Sequence, residues 1–309
     1  MGDSFITISK DIKNAIKNNS PIVALESTLI SHGIPYPENI IVAESSIEAV
    51  KKTGSLPATI GIINGKIKVG LNNNDIQILA KSKNVLKVSK HNLAIAINKK
   101  INAATTVAST IYIASKIGIK FFSTGGIGGV HMGSEKTFDI SADLTELSKT
   151  RMNVICSGVK SILDINKTYE KLETLGLPRV GYKSEKMPGF WYHQTNRQLD
   201  YNFKNLNDLV KYLKDFEKIA DSFGGTESVL IFNPLAKNKS LKKELVDKWI
   251  KNSIKKAKEN SIEGRDLTPY LIKEVNLLSK NKTLKANIEL IVNNALLAGK
   301  LAKNFTLIK

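Results

Sequence analysis

The chain has one cysteine, Cys156, in 309 residues. No disulfide can close within it, and a reducing, cytoplasmic setting is the expectation. Arginine is nearly as scarce. Only four of the 46 basic residues are arginine: Arg151, Arg179, Arg197 and Arg265. Proteins that grip phosphate backbones or base edges favour arginine, whose planar fork bonds two acceptors at once. The formal net charge of +18 therefore reads as a solvated lysine surface rather than a nucleic-acid footprint. Aromatic residues make up 6% of the chain, too few to interleave a base-stacking surface. No run of about eighteen apolar residues exists, so no membrane-spanning helix is expected. The opening "MGDSFITISKDIKNAIKNNS" has no long apolar core and no small-residue cleavage site, so no signal peptide is expected. It starts like a myristoylation signal, but Ile6 stands where serine or threonine is needed.

Hydrophobic residues make up 42% of the chain, enough for a large core. "ISKDIKNAIKNN" has apolar residues at helical spacing, and "PIVALES" is a short apolar strand. "SHGIPYP" predicts a loop, with Pro37 in the first turn of a helix running to Gly54. "ATIGIINGKIKVGL" is two β-rich runs around Asn64-Gly65, a hairpin signal. A helix from about Asp75, a strand "VLKVS", an apolar helix "TTVASTIYIASKIGI" and a strand "KFFSTGG" follow. Then come a helix start at "SADLTELSK", a strand "MNVICS", a helix "KSILDINKTYEKLETLG" and a strand "RVGY". Residues 183–205 look irregular and suit a lid or site wall. A helix to about Ala220 precedes a last strand, "SVLIFNPLAK", ended by a proline, and the remainder is helical with an exposed basic face. Strands alternate with helices throughout, without repeat or linker. This predicts a single α/β domain over residues 1–309, a mostly parallel sheet covered by helices on both faces.

Ligands of such sheets bind beyond the carboxyl ends of the strands. That rule selects Glu26, residues 124–129 and Lys160. Partial burial depresses a lysine's pKa, and a free amine attacks a carbonyl to form an imine. The bland alternative for Lys160 is a surface position on a helix's first turn, although a helix N-terminus disfavours a cation. Glu26, after "IVAL", would be desolvated and suited to a general acid, or merely buried with a partner. The glycines of "STGGIGGVHMG" fit neither a Walker A loop nor G-x-G-x-x-G, and leave anion binding and a tight turn both open. In "TFDISADL", Asp139, Ser141 and Asp143 suit helix capping or a divalent oxygen site. Cys156 with His131 could be a nucleophile and base, against a buried structural thiol. His32 is a substrate contact or a solvated side chain, and the four histidines lack zinc spacing.

Several stretches together resemble one family, the pseudouridine-5′-phosphate glycosidases or indigoidine-synthase-A-like proteins. They are "VALESTLISHGIPYPEN", "PATIGIINGKIKVGL", "KVSKHNL", "ATTVASTIYIA", "STGGIGGVHMGSEKTFDISADLTEL", "VICSGVKSILDI", "LETLGLP" and "LKANIELIVNNALLA". The likeness covers almost the whole chain, and the glycine block joined to "TFDISADL" is its most specific part. It implies a three-layer α/β/α sandwich around a mixed, mostly parallel sheet, assembled as a homotrimer. It implies reversible cleavage of the C–C bond between uracil C5 and ribose C1′ of pseudouridine 5′-phosphate, with a divalent metal, typically Mn²⁺. By motif, Lys160 would be the nucleophile, Glu26 the proton donor and Asp139 the metal ligand. Lys87, Val107, Ser141, Ala142 and Asp143 would contact substrate, and Asn287 the uracil edge. This chain has Met132 where the family commonly has arginine, and "CSG" where it usually has "CAG". The competing class is a basic nucleic-acid-binding protein, supported by the net charge and the lysine-rich C-terminal helices.

Overall fold

The structure is a computed structural model and describes residues 5–262, 264 and 267–308. Among these, the strands are β1 (Ile6–Ile8), β2 (Ile22–Leu25), β3 (Leu56–Ile63), β4 (Lys66–Val69), β5 (Leu86–Val88), β6 (Ala103–Thr105), β7 (Phe121–Ser123), β8 (Asn153–Cys156), β9 (Arg179–Tyr182), β10 (Tyr201–Phe203) and β11 (Val229–Phe232). The α-helices are α1 (Lys10–Lys17), α2 (Glu38–Lys51), α3 (Asn73–Lys81), α4 (Leu93–Asn98), α5 (Val107–Lys116), α6 (Ser134–Thr137), α7 (Ala142–Leu147), α8 (Ile165–Thr174), α9 (Leu206–Phe223), α10 (Lys243–Glu259), α11 (Leu267–Leu278) and α12 (Lys282–Leu307).

The main sheet runs β3-β2-β7-β8-β11-β9-β10, and every neighbouring pair in it is parallel. The long strand β3 continues past β2 and pairs antiparallel with β4 and β6, with β1 and β5 completing that flank. The sheet is therefore mixed but mostly parallel. Both faces are buried, and the strand residues alternate between two cores as the pleat requires. Val23, Leu25, Phe121, Ile155, Val229 and Ile231 pack under α9 and α12. Ala24, Phe122, Val154, Cys156, Leu230 and Phe232 face the opposite layer with α1, α5 and α10. Helices thus cover both sides, as predicted. Among the described residues no helix is long and apolar enough to cross a membrane.

Local chemistry explains most boundaries. Asn72 and Asp75 form a capping box on α3, and Thr106 and Ser109 do so on α5. Asn205 caps α9, which stops at Gly224 in the left-handed region (φ 78°). Asn64 and Gly65 both take positive φ, 49° and 72°, which is the turn the Asn-Gly pair predicts.

Three expectations change. The helix after β8 does not begin at Lys160. Residues 160–164 form a turn, and α8 starts at Ile165 because Asp164 accepts from the Lys167 N–H at 3.0 Å. Lys160 therefore escapes the unfavourable helix N-terminus. The predicted loop at "SHGIPYP" begins with a π-helical turn, Leu29–Gly33, and α2 starts at Glu38, after Pro37, ending at Lys51 rather than Gly54. Finally, β1, β6 and β10 were not read from the sequence: β1 directly precedes α1, β6 is a run of small residues (Ala103–Thr105) just ahead of the expected apolar helix, and β10 falls in the stretch 183–205 that reads as irregular.

Candidate active site

Four neighbouring strands of the main sheet, β2, β7, β8 and β11, end on the same side. Glu26 follows β2, Thr124 follows β7, Lys160 lies four residues beyond β8, and Asn233 follows β11. Their exits are stitched together. Ile127 N donates to Gly158 O at 3.1 Å and Lys160 N donates to Ile127 O at 3.2 Å, so the glycine-rich loop pairs with the Lys160 segment. Asn294 of α12, wholly buried, donates through Nδ2 to Thr124 O at 2.8 Å and accepts at Oδ1 from Asn233 Nδ2 at 3.0 Å. Ser157 Oγ donates to Asn233 O at 2.8 Å. On the other flank, Thr105 N donates to Ser27 Oγ at 2.9 Å and Thr28 Oγ1 to Thr105 O at 2.8 Å, fastening the Glu26 turn to β6.

Glu26 and Lys160 line one cavity of about 70 Å³, together with Lys87, Thr124, Asn287 and Phe190. Glu26 is buried, and its carboxylate accepts from Thr124 Oγ1. Burial pushes its pKa up, and the charges of Lys160 and Lys87 act against that. Lys87, His32 and Pro269 are shared with an adjoining chamber of about 380 Å³, which adds Ser89, His91, Asn92 and Thr106. Among the described residues that line that chamber none is a carboxylate, and Lys87 and His91 suit an anion. His32 is held neutral by burial and by the Lys87 charge.

Gly125, Gly126, Gly128 and Gly129 are there for close packing rather than for unusual dihedrals. A Cβ on Gly126 would meet the Phe190 ring at 2.7 Å, and one on Gly128 would meet Ser141 Oγ at 2.2 Å. Asp143 is buried and its carboxylate bridges two backbones. Oδ1 accepts from Ala108 N at 3.0 Å and Oδ2 from Gly128 N at 2.9 Å. Ser141 caps α7, accepting from Asp143 N at 3.2 Å. Val107 is buried as the first residue of α5, and Ala142 is exposed. Val107, Ser141, Ala142 and Asp143 thus stand behind the glycine loop rather than in the wall of the Glu26–Lys160 cavity, whereas Lys87 and Asn287 are in that wall.

Asp139 lines a third and larger cavity, about 440 Å³, with His131, Met132, Leu267 and Leu271. His131 Nδ1 is 3.8 Å from Asp139 Oδ2 and its Nε2 is 3.3 Å from Thr268 Oγ1. Burial, with Lys87 and Lys160, lowers its pKa against the pull of Asp139. Cys156 is buried in β8 and its thiol is pushed up to about 12, so it is a structural thiol and not His131's partner. Among the described residues no three His, Cys, Asp or Glu side chains cluster as a metal cage. A hard divalent ion held by one carboxylate and otherwise by water fits Asp139; a zinc-type site does not. The lysine-rich α10 buries Val246, Ile250 and Ala257, and Lys243, Lys255 and Lys256 are paired with Asp247, Glu259 and Glu274.

Sequence reasoning did not single out Asn294, Asn233, Phe190 or Trp191. Asn294 carried a signal, an amide inside the apolar stripe Leu290, Ile291, Ala295 and Leu297.

The model of the indigoidine synthase A like proteins matches residues 11–304. A protein of Petrotoga mobilis named pseudouridine-5′-phosphate glycosidase is 45% identical over 304 residues, 98% of each chain. One so named from Staphylococcus aureus is 43% identical over 298 residues, 96% of each. Among solved structures, the prealnumycin C-glycosynthase AlnA in complex with ribulose 5-phosphate superposes with a TM-score of 0.89 at 33% identity, covering 99% of this chain and 98% of that one. An indigoidine synthase A-like protein from Thermotoga maritima gives 0.88 at 30% identity, covering 99% of both.

Proposed function

The chain belongs to the indigoidine synthase A like family, and on that premise we propose that it reversibly cleaves the C–C glycosidic bond of pseudouridine 5′-phosphate, giving uracil and ribose 5-phosphate. The observation that carries this reading is the meeting of Glu26 and Lys160 in one small cavity, the acid's pKa raised by burial. Ordinary glycosidases protonate an exocyclic oxygen, which a C-nucleoside lacks. Lysine offers another route. A proton from Glu26 reaches the ring oxygen, the C1′–O4′ bond breaks, and the Lys160 nitrogen bonds to C1′, losing a proton. Protonation of uracil C5 then breaks the C1′–C5 bond. Its electron pair restores the C5–C6 double bond, while the nitrogen lone pair closes an iminium on C1′. Water adds at C1′, the amine departs, and the open-chain aldehyde of ribose 5-phosphate remains. The sum consumes one water.

The 70 Å³ cavity is small for a nucleotide, since small-molecule sites commonly run to about 300–1,000 Å³. The reacting carbon belongs there, and the anion-suited chamber beyond Lys87 would take the phosphate. Asp139 would hold a divalent ion, typically Mn²⁺, which when bound would order and acidify water. A homotrimer is part of the same reading, and the exposed Met132, Phe138 and Ile140 near Asp139 offer an apolar face for it. Cytoplasmic residence accords with the one buried, unpaired cysteine.

Borohydride with ribose 5-phosphate tests the covalent step. The expected product is a reduced sugar-phosphate adduct on Lys160, mapped by peptide mass spectrometry. No adduct, or one mapped elsewhere, rejects the imine.

A further inference from the structure

The reading above leaves open which bases the cavity accepts, and the stretch Pro188–Trp191 bears on that. Trp191 is 1% exposed, and its indole Nε1–H donates to Asn287 Oδ1 at 2.6 Å. An indole N–H can only donate, so the Asn287 amide cannot sit the other way round. Asn287 is itself 7% exposed and lines the cavity that holds Glu26 and Lys160. Its Nδ2 makes no hydrogen bond to any described residue, so the oxygen is spent on Trp191 and the two N–H donors remain for a ligand. Trp191 is well held for this task. Its backbone N–H donates to Ser161 Oγ at 3.3 Å, and its carbonyl accepts from Leu241 N at 2.8 Å. Ser161 Oγ in turn donates to Gly189 O at 2.6 Å, one residue beyond Lys160, so the same strap steadies the Lys160 turn.

We propose that Trp191 is a positioning residue that locks the Asn287 amide as a donor, so that the site selects a base presenting a carbonyl oxygen there and rejects one presenting an amino group. This rests on the glycosidase reading. Uracil carries a carbonyl on each side of its N3, and cytosine replaces one of them with an amino group. A donor facing an amino group leaves both unpaired in a buried place, which is how a hydrogen-bonding site discriminates most strongly.

The test runs the reaction in the bond-forming direction, with ribose 5-phosphate and either uracil or cytosine, and with each base as a competitor of the other. In Trp191→Phe the amide is free to turn. KM for uracil should rise about five- to ten-fold, the worth of one neutral hydrogen bond. KM for ribose 5-phosphate should stay within about two-fold, and the preference for uracil over cytosine should narrow. Asn287→Asp keeps an acceptor for Trp191 and turns an acceptor to the cavity, so the preference should move toward cytosine. Equal shifts in both KM values for Trp191→Phe, or an unchanged base preference in Asn287→Asp, would overturn the proposal. A native enzyme that neither consumes nor is inhibited by uracil overturns the glycosidase reading instead, and the two failures are told apart by that single control.

Discussion

The first turn of α11 stands between two cavities that differ in almost every respect. On one side, the Glu26–Lys160 cavity is small, and the strand exits that carry its wall are tied from behind by hydrogen bonds among Thr124, Ser157, Asn233 and Asn294. On the other side, the Asp139 cavity is some six times larger by volume, about 440 against 70 Å³, and is walled mainly by Ile162, Ile254, Leu267 and Leu271. Size does not mark the chemistry. What marks it is an acid and an amine brought together at strand ends by backbone that cannot shift without breaking several buried hydrogen bonds.

The contrast is broken hardest at Lys160. Lys160→Ala should keep the fold, judged by circular dichroism, and lose about 10⁴-fold or more in kcat, the scale expected when a covalent nucleophile is removed. Retained turnover would reject the assignment. Glu26→Gln comes next, with a loss of about 10²- to 10⁴-fold for a general acid. Its stability carries a second signature. The folded chain holds the Glu26 proton more tightly than the unfolded chain does, because burial raises its pKa. That contribution is complete at pH below the unfolded carboxyl's range and is lost as pH rises through the raised value. Glutamine has nothing to ionise, so the melting temperature of Glu26→Gln relative to the native protein should climb with pH. A difference that is flat between pH 5 and 9 would contradict the burial argument. The smallest effect is expected across α11. Asp139→Asn should lower turnover modestly, and the deficit should shrink as Mn²⁺ is raised. A defect as deep as that of Lys160→Ala, indifferent to Mn²⁺, would remove the distinction between the two cavities.

Much of this was legible beforehand for a physical reason. The buried strands β2, β7 and β8 are short apolar runs that stop at small or polar residues, so the residues after them announce themselves. Glu26, Thr124 and Lys160 were found that way. The turn at residues 160–164 was not, because "KSILDINK" has apolar spacing compatible with a helix, and only the Asp164 cap shows where the helix starts. The partners that hold the site, Asn233, Asn294, Phe190 and Trp191, lie far from it along the chain. Nothing local links Ser157 to Asn294 across 137 positions. The glycine block illustrates a subtler limit: its spacing fits no phosphate loop because the neighbours that demand glycine, Phe190, Ser141 and Thr168, come from elsewhere in the chain.

The chain contains only two tryptophans. Trp249 sits half-buried on α10, while Trp191 has its indole N–H bound to a side chain of the cavity wall. That leaves a fluorophore one amide away from the cavity that holds Glu26 and Lys160. With Trp249 exchanged for phenylalanine, the emission of this protein becomes a single-site optical record of what enters and leaves.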